Sequence, residues 1–506
     1  MEVRRSLVVN STPLETRLAL LENGQVCELF IERSAHVSQV GDVYKGRVAK
    51  LLQGMQSAFV NIGGPKDGFL YLDEPEAHRL TTEDLPDEEE PETALELETL
   101  PLTLPPVKEG EELLVQVVKD PIGSKGPRLS RHISFPGRFL VFMPGIDHIG
   151  ISRKITDPEE RERLRQLIRS HAAPGEGFIV RTAAIGEKDE DLVSDVAFLR
   201  DLWREVQARS TTCHAPCLVW QDYRLLQKAL RDLFREEVAS FWVDTDEAYQ
   251  EVAGFVGKLH PEWVPRVKRF TSDIPIFEAF DIEKELEQAR HPKVFLKHGG
   301  SIVINQTEAL VSVDVNTGKF AGKKDLEETV FHANLEAIPE IVRQLRLRNL
   351  GGIIVIDFID MTDPAHREQV MARLQEELKR DRNHARAAAI SEFGLVEMTR
   401  KRTGPSLERL LTEPCPCCDG TGRRISAETA LLEVYRELVR RASHLQGATL
   451  RLSLHPDLRA AIPAEVRDGL HHLARSAGAQ VVWIDRSELP RHKVQLDIQG
   501  GRPEAP

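Results

Sequence analysis

A chain of 506 residues, 41% of them hydrophobic, is long enough for roughly three or more domains with sizeable cores. It contains no run of eighteen apolar residues, and the apolar stretch in MEVRRSLVVNST is too short for a signal peptide; this excludes a spanning helix and predicts a soluble protein of the cytoplasm. The net charge of -13 argues against a nucleic-acid partner only until it is located, because residues 73–112 hold 15 acids and 2 bases and so account for the whole imbalance.

In chain order, MEVRRSLVVNSTPLETRLALLENGQVCELFIER reads as two strands about a hairpin turn at Glu22-Asn23-Gly24. Short strands with aromatic residues follow at 40–50 (VGDVYKGRVAK), 57–62 (SAFVNI) and 68–72 (GFLYL), and the pattern resumes at 112–118 (ELLVQVV), as an interrupted OB-fold would. Phe59 and Phe69 in these strands serve equally well as barrel core or as surface platforms for bases. Between them and the resumption, the Glu-, Pro- and Thr-rich insertion 73–112 reads as a disordered, solvated loop, with competition for basic surface as the regulatory alternative. The CHAPC run places Cys213, His214 and Cys217 at metal-ligand spacing, and 222–242 (DYRLLQKALRDLFREEVASFW) reads as helical.

The densest chemistry lies in LVSVDVNTGK (310–319) and GGIIVIDFIDM (351–361). Alternation along a strand puts Ser312, Asp314 and Asn316 on one face and Val311, Val313 and Val315 on the other. Residues 353–356 read as a strand buried on both faces, with Asp357 where it runs into solvent. Two carboxylates and a carboxamide are hard oxygen ligands suited to Mg²⁺; either Asp alone would equally serve as a turn former or helix cap. Between the two strands, 325–349 has Leu326, Val330, Leu335, Ile338, Ile341, Val342 and Leu345 on one helical stripe, ended by Asn349 and Gly351. Its basic face, Arg343, Arg346 and Arg348, suits either the helix dipole or a phosphate backbone. A second helix spans 366–381.

Six cysteines, three of them within 415–418, suit a metal site in a reducing compartment better than disulfides. Cys415 and Cys418 of CPCCDGTG form a CxxC knuckle that supplies two of the four ligands of a structural zinc, with Cys417 a spare. The missing pair comes either from Cys213, His214 and Cys217 or from the same knuckle of a second subunit. Residues 427–445 then form an amphipathic helix carrying Leu431, Leu432, Val434, Leu438, Val439 and Ala442, and the remainder alternates strand and helix as a small α/β domain.

SVDVNTGKF, RQLRLRNLGGIIVIDFIDM, EFGLVEMTRKR and CPCCDGTG, in this order and spacing, resemble the ribonuclease E/G family over nearly the whole chain. The 506 residues include no long Pro- or Arg-rich tail, which brings the resemblance nearer to the ribonuclease G branch. The resemblance implies a multidomain α/β and β architecture. Residues 1–35 and 225–288 would form a ribonuclease H-like subdomain, 36–130 an S1-type OB-fold barrel, and 131–224 a 5′-sensor region. A deoxyribonuclease I-like catalytic subdomain would follow at 289–411, then a zinc link at 412–424 and a small C-terminal domain at 425–506. The implied activity is Mg²⁺-dependent endonucleolytic cleavage of single-stranded RNA, in rRNA and tRNA processing and mRNA decay, leaving a new 5′-phosphate. Asp314 and Asp357 would hold the Mg²⁺ while Asn316 orients Asp314. Phe59, Phe69 and Lys125 would bind RNA, and Gly137, Val141, Arg181 and Thr182 would sense a 5′-monophosphate. Zinc on Cys415 and Cys418 would be shared between subunits of a dimer or tetramer. The sequence departs from the family at His384, where an arginine is expected, with Arg382 and Arg386 nearby as substitutes. A non-catalytic S1-type RNA-binding regulator or scaffold is the alternative, but it has no need of Asp314, Asn316 and Asp357 together.

Overall fold

The computed structural model describes residues 3–72, 106–121, 125–152, 154–318, 326–383, 385–418 and 420–500. Most of the acidic insertion (73–105), Lys319 of the first motif, His384 and Asp419 lie outside the described residues. The chain forms two compact units, 1–410 and 411–506, of mixed α/β structure. No helix among the described residues is long and apolar enough to cross a membrane.

The opening segment forms three strands rather than the expected two, Arg5–Ser11, Glu15–Glu22 and Gln25–Arg33. The extra break comes at Thr12-Pro13-Leu14, where the Thr12 hydroxyl exchanges hydrogen bonds with Glu15 and proline supplies no ladder donor. The second turn is the two-residue loop read from the sequence, with Asn23 at φ 51° and Gly24 at φ 83°. These strands continue a sheet in the order Val267–Arg269, Val238–Val243, Arg5–Ser11, Glu15–Glu22, Gln25–Arg33. The helix expected over 222–242 is confined to Leu225–Asp232. The rest of that segment includes the strand Val238–Val243, because Val238, Phe241 and Val243 are buried between the sheet and its covering helices; tertiary burial overrides the helical pattern.

Five strands, Val43–Leu52, Ser57–Asn61, Gly68–Tyr71, Glu112–Lys119 and Arg128–Ser130, close into a barrel by pairing of the first with the fourth. Cys217–Trp220 pairs with the first of these strands from outside. A four-stranded sheet made of Phe135–Pro136, Leu140–Pro144, Ile149–Ile151 and Glu176–Val180 shares a core with the helices Pro158–His171 and Asp189–Thr212.

The last sheet of the first unit has six strands in the order Lys293–Phe295, Ser301–Gln306, Leu310–Asn316, Gly352–Asp357, Leu395–Arg400, Ala385–Ala387. The helices Leu326–Leu347 and Pro364–Leu378 join one face of it in a single core. Among the described residues only that face is covered: Ile354 and Ile356 are fully buried, whereas Ile353 is 55% exposed. The continuous apolar run had predicted burial on both faces. The second unit has a three-stranded sheet, Gln480–Asp485, Thr449–Leu454 and Val494–Gln499, packed on the helices Ala427–Arg440 and Ala464–Ser476.

Candidate active site

The carboxylates of the two apolar strands meet because of strand register. Leu310–Asn316 runs parallel to Gly352–Asp357, and Asp314 is directly opposite Asp357. Val311, Val313 and Val315 enter the core while Asp314 and Asn316 stay exposed, the alternation that the sequence predicts. Asn316 Nδ2 donates to Asp314 Oδ2 at 2.7 Å, which fixes the carboxylate's orientation. Burial, and then the like charges of Asp314 and Asp360, push the Asp357 carboxyl above its ordinary value. A cation between the strands would relieve that repulsion. Among the described residues no three His, Cys, Asp or Glu side chains converge closely enough to cage a metal alone. Two carboxylates and water-filled remaining positions are, however, what Mg²⁺ ordinarily accepts, so the donor set fits that ion.

The loop after Asp357 is held by residues that the sequence reading passed over. Asn334, fully buried on the helix Leu326–Leu347, donates Nδ2 to Ile359 O at 2.8 Å and accepts from Ile359 N–H at 3.1 Å. About two turns earlier on the same helix, Glu327 accepts from the Thr362 hydroxyl at 2.7 Å and from the backbone N–H groups of Thr362 and Asp363. Those bonds, the Thr362 hydroxyl foremost, hold its carboxyl at about 2. A polar Asn334 between Val330 and Ile338 on an apolar stripe was the available signal, since a buried carboxamide must find partners.

The arginines read from the sequence as a basic face of this helix make their bonds within the protein. Arg343 pairs with Glu340 and Glu285, Arg346 is buried against Glu22 and Glu28 of the opening strands, and Arg348 donates to Gln344 at 2.6 Å. Arg346, and Arg343 through Val26 O, tie this helix to the N-terminal sheet. In the third motif, Arg400 is buried against Asp381 and donates to Leu350 O at 2.6 Å. Gly352, at φ 94°, leaves room for the Arg402 guanidinium, which an added Cβ would meet at 2.8 Å.

On the barrel, Phe59 and Phe69 are directly paired across adjacent strands and stay half-buried on its outer side. The interior is filled instead by Val48, Ala58, Val60, Ile62, Leu70, Val115, Val117 and Leu129. Phe69 also meets Tyr71 edge-on at 4.9 Å, and the Arg128 guanidinium lies 4.9 Å over Tyr71; Tyr71 extends the aromatic strip and was not singled out from the sequence. Lys125 is exposed, and its neighbour Gly126 passes so near the Asp67 carbonyl that an added Cβ would lie 2.0 Å away.

In the four-stranded sheet, Arg181 Nη1 donates to Gly137 O at 2.6 Å, to Arg138 O at 3.3 Å and to Asp232 Oδ1 at 3.3 Å. Gly137 is needed for packing, since a Cβ would sit 2.7 Å from the buried Asp195 carboxylate. Thr182 opens a short 3-10 turn directly after Arg181. Val141 lies further along, opposite Ile179, and packs against the Met143, Ile146 and Ile179 cluster. Gly137 and Arg181 are thus in contact and Thr182 adjoins them.

In the second unit, hydrogen bonds led by the Gly422 N–H, together with the Cys415 thiol, lower the Cys418 thiol below its ordinary value, which favours the thiolate a metal needs. Cys417 Sγ lies 3.8 Å from His492 Nδ1. Cys213 and Cys217 hydrogen-bond one another, which raises the Cys217 thiol.

Residues 134–403 match the model of the Ribonuclease E/G family. The chain is similar to Ribonuclease G of Escherichia coli (strain K12), with 41% identity covering 94% of this chain and 96% of that protein. It is also similar to Ribonuclease G of Haemophilus influenzae, at 41% identity over 86% of the chain and 87% of that protein. With Ribonuclease E of Escherichia coli it shares 33% identity over 97% of the chain and 46% of that longer protein.

Proposed function

The chain belongs to the ribonuclease E/G family and is an endoribonuclease, and from that premise we propose that it cleaves single-stranded RNA at Asp314 and Asp357 with the help of Mg²⁺. The observation that carries this reading is the register that sets the two carboxylates side by side, one of them oriented by Asn316. Mg²⁺ held there would supply a Lewis acid that activates water and offsets charge developing on the phosphate. The chain's own part is to hold both carboxylates in place. Asn316 does so from within the strand, and Asn334 and Glu327 do so by clamping the loop beyond Asp357. The reading includes a ribonuclease H-like and a deoxyribonuclease I-like subdomain, an S1-type barrel whose Phe59, Phe69 and Lys125 bind RNA, cytoplasmic location, and work in rRNA and tRNA processing and mRNA decay.

A 5′-monophosphate preference belongs to the same proposal. The side-chain hydrogen bonds of Arg181 to described residues run through Nη1, which fixes the guanidinium plane and leaves its remaining N–H groups to a terminal phosphate. The test is cleavage of a short single-stranded RNA with and without Mg²⁺, bearing either a 5′-monophosphate or a 5′-hydroxyl. Cleavage is expected only with the metal, and roughly tenfold or more faster on the monophosphate, the worth of a charge-assisted pair. Arg181→Ala should erase that preference. Equal rates on both RNAs with the unmodified enzyme would remove the sensor role, and undiminished cleavage in a chelator would remove the metal.

The zinc proposal concerns assembly. Cys415 and Cys418 offer two thiolates, and a tetrahedral structural site needs four ligands, so the same pair from a second subunit would complete it in a dimer or tetramer. About half an equivalent of zinc per chain is expected. Replacing Cys415 and Cys418 together by Ser should lower zinc content and particle size in parallel. One full zinc per chain in a stable monomer, by elemental analysis and light scattering, would refute sharing.

A further inference from the structure

Two phenylalanines, one on the open face of the six-stranded sheet and one in the turn that leads into its strand Leu395–Arg400, are not accounted for by packing. Phe295 is 75% exposed and Phe393 is 85% exposed, although aromatic side chains of this size contribute most when buried. Phe295 ends its strand opposite Ser301, and Ser301 is opposite Asn316. On the other side, Asp314 is opposite Asp357 and Asp357 is opposite Leu395, two residues past Phe393. Directly opposed residues project to one face, as do alternate residues along a strand. Phe295, Asn316, Asp314, Asp357 and Leu395 therefore share the uncovered face at one end of the sheet. At about 4.8 Å between strands, Phe295 stands roughly 10 Å from Asn316, while Phe393 lies in the turn just before Leu395, the residue opposite Asp357.

Phe393 is held in place. The Gly394 N–H donates to Ser391 O at 3.0 Å, the Ser391 N–H to Leu395 O at 2.8 Å, and the Leu395 N–H to Ser391 Oγ at 3.3 Å. These bonds close a tight turn with Phe393 at its third position. Gly394, at φ 79°, presses that turn against the loop beyond Asp357, since an added Cβ would lie 3.1 Å from Asp360 Oδ1. Turn chemistry favours glycine or small polar residues there and has no use for an aromatic ring. On the opposite side, Lys293 Nζ lies 5.1 Å over the Phe295 ring, which places a cation beside the second platform.

We propose that Phe295 and Phe393 are stacking platforms for the unpaired bases on either side of the scissile phosphate, drawing a single strand across the paired carboxylates. The proposal rests on the reading of Asp314 and Asp357 as the cleavage site. RNA is the occupant that continuity with those carboxylates favours, because every base offers a π-face to such a platform whatever the sequence. A second copy of the chain on this face would instead cover both carboxylates.

The experiment uses the full chain and a short 5′-monophosphorylated single-stranded RNA with 2-aminopurine on one or the other side of the mapped cleavage site. In the Asp314→Asn protein, which keeps the RNA intact, fluorescence should be quenched at both positions. Adding Phe393→Ala should restore fluorescence on one side and Phe295→Ala on the other, and Trp at either place should quench again. In the catalytic background each Ala variant should lower kcat/KM by about 5- to 100-fold, mostly through KM, as the loss of one stack predicts. On RNA lacking the base at that position, the unmodified enzyme should fall to the level of the variant and the variant no further. Quenching unchanged in both Phe variants, losses identical on RNA lacking the base, or losses that track a smaller assembly by light scattering would each overturn the proposal. Quenching that depends on these rings in an unmodified protein that does not cut RNA would support the platforms and instead refute the cleavage reading.

Discussion

Asp314→Asn or Asp357→Asn is expected to abolish cleavage while leaving RNA affinity within a few fold. Each change removes a charged oxygen ligand from a pair that register holds side by side, and metal stabilisation of the transition state supplies several kcal/mol, so a loss of a hundredfold or more follows at about 1.4 kcal/mol per tenfold. On the proposed reading affinity should survive, because the barrel aromatics and basic side chains rather than these carboxylates would attract the strand. Asn316→Ala should cost less, on the order of 10- to 100-fold, since it only orients Asp314. Single-turnover cleavage with a parallel filter-binding measurement separates the two quantities. Residual cleavage near the unmodified rate in either Asp variant would remove these residues from the active site.

The second large effect is on stability. Arg346→Ala should destabilise the first unit by about 3 to 5 kcal/mol, because it leaves Glu22 and Glu28 buried without the guanidinium that both of them share. Burial pushes the Glu22 carboxyl up, but hydrogen bonding and charge from Arg346, helped by Arg5, more than offset it and hold it below its ordinary value. A depressed carboxylate contributes stability above its unfolded pKa and loses it as pH falls through the folded one. The penalty for Arg346→Ala should therefore be full at pH 7 and shrink below about pH 4, where carboxylates are protonated in the unfolded chain as well. Urea unfolding at the two pH values measures this. RNA affinity and its salt dependence should stay unchanged at neutral pH under folding conditions; a smaller salt slope in the variant would instead mean that Arg346 contacts phosphate.

Features that depend on a few neighbouring residues were legible in the chain itself. Alternation alone put Asp314 and Asn316 opposite the valines, because the period of a strand is a property of the backbone. Asn23-Gly24 specified its hairpin because both positions need positive φ, and the composition of 73–112 located the whole net charge. The order and spacing of four motifs sufficed to recognise the family. What joins distant segments was decided only by the tertiary structure. No local rule says that Asp314 faces Asp357 rather than a residue one step away, since that register is set by packing of both strands on the helix Leu326–Leu347. The side of the barrel wall taken by Phe59 and Phe69 depended on which smaller side chains filled the interior. Arg346 had read as serving the helix dipole or a phosphate backbone until strands more than three hundred residues earlier supplied Glu22 and Glu28, and 238–243 became a strand because Val238, Phe241 and Val243 joined the core between the sheet and its helices. In each case the deciding energy is burial or charge pairing between residues far apart in sequence, which a helical or strand period does not encode.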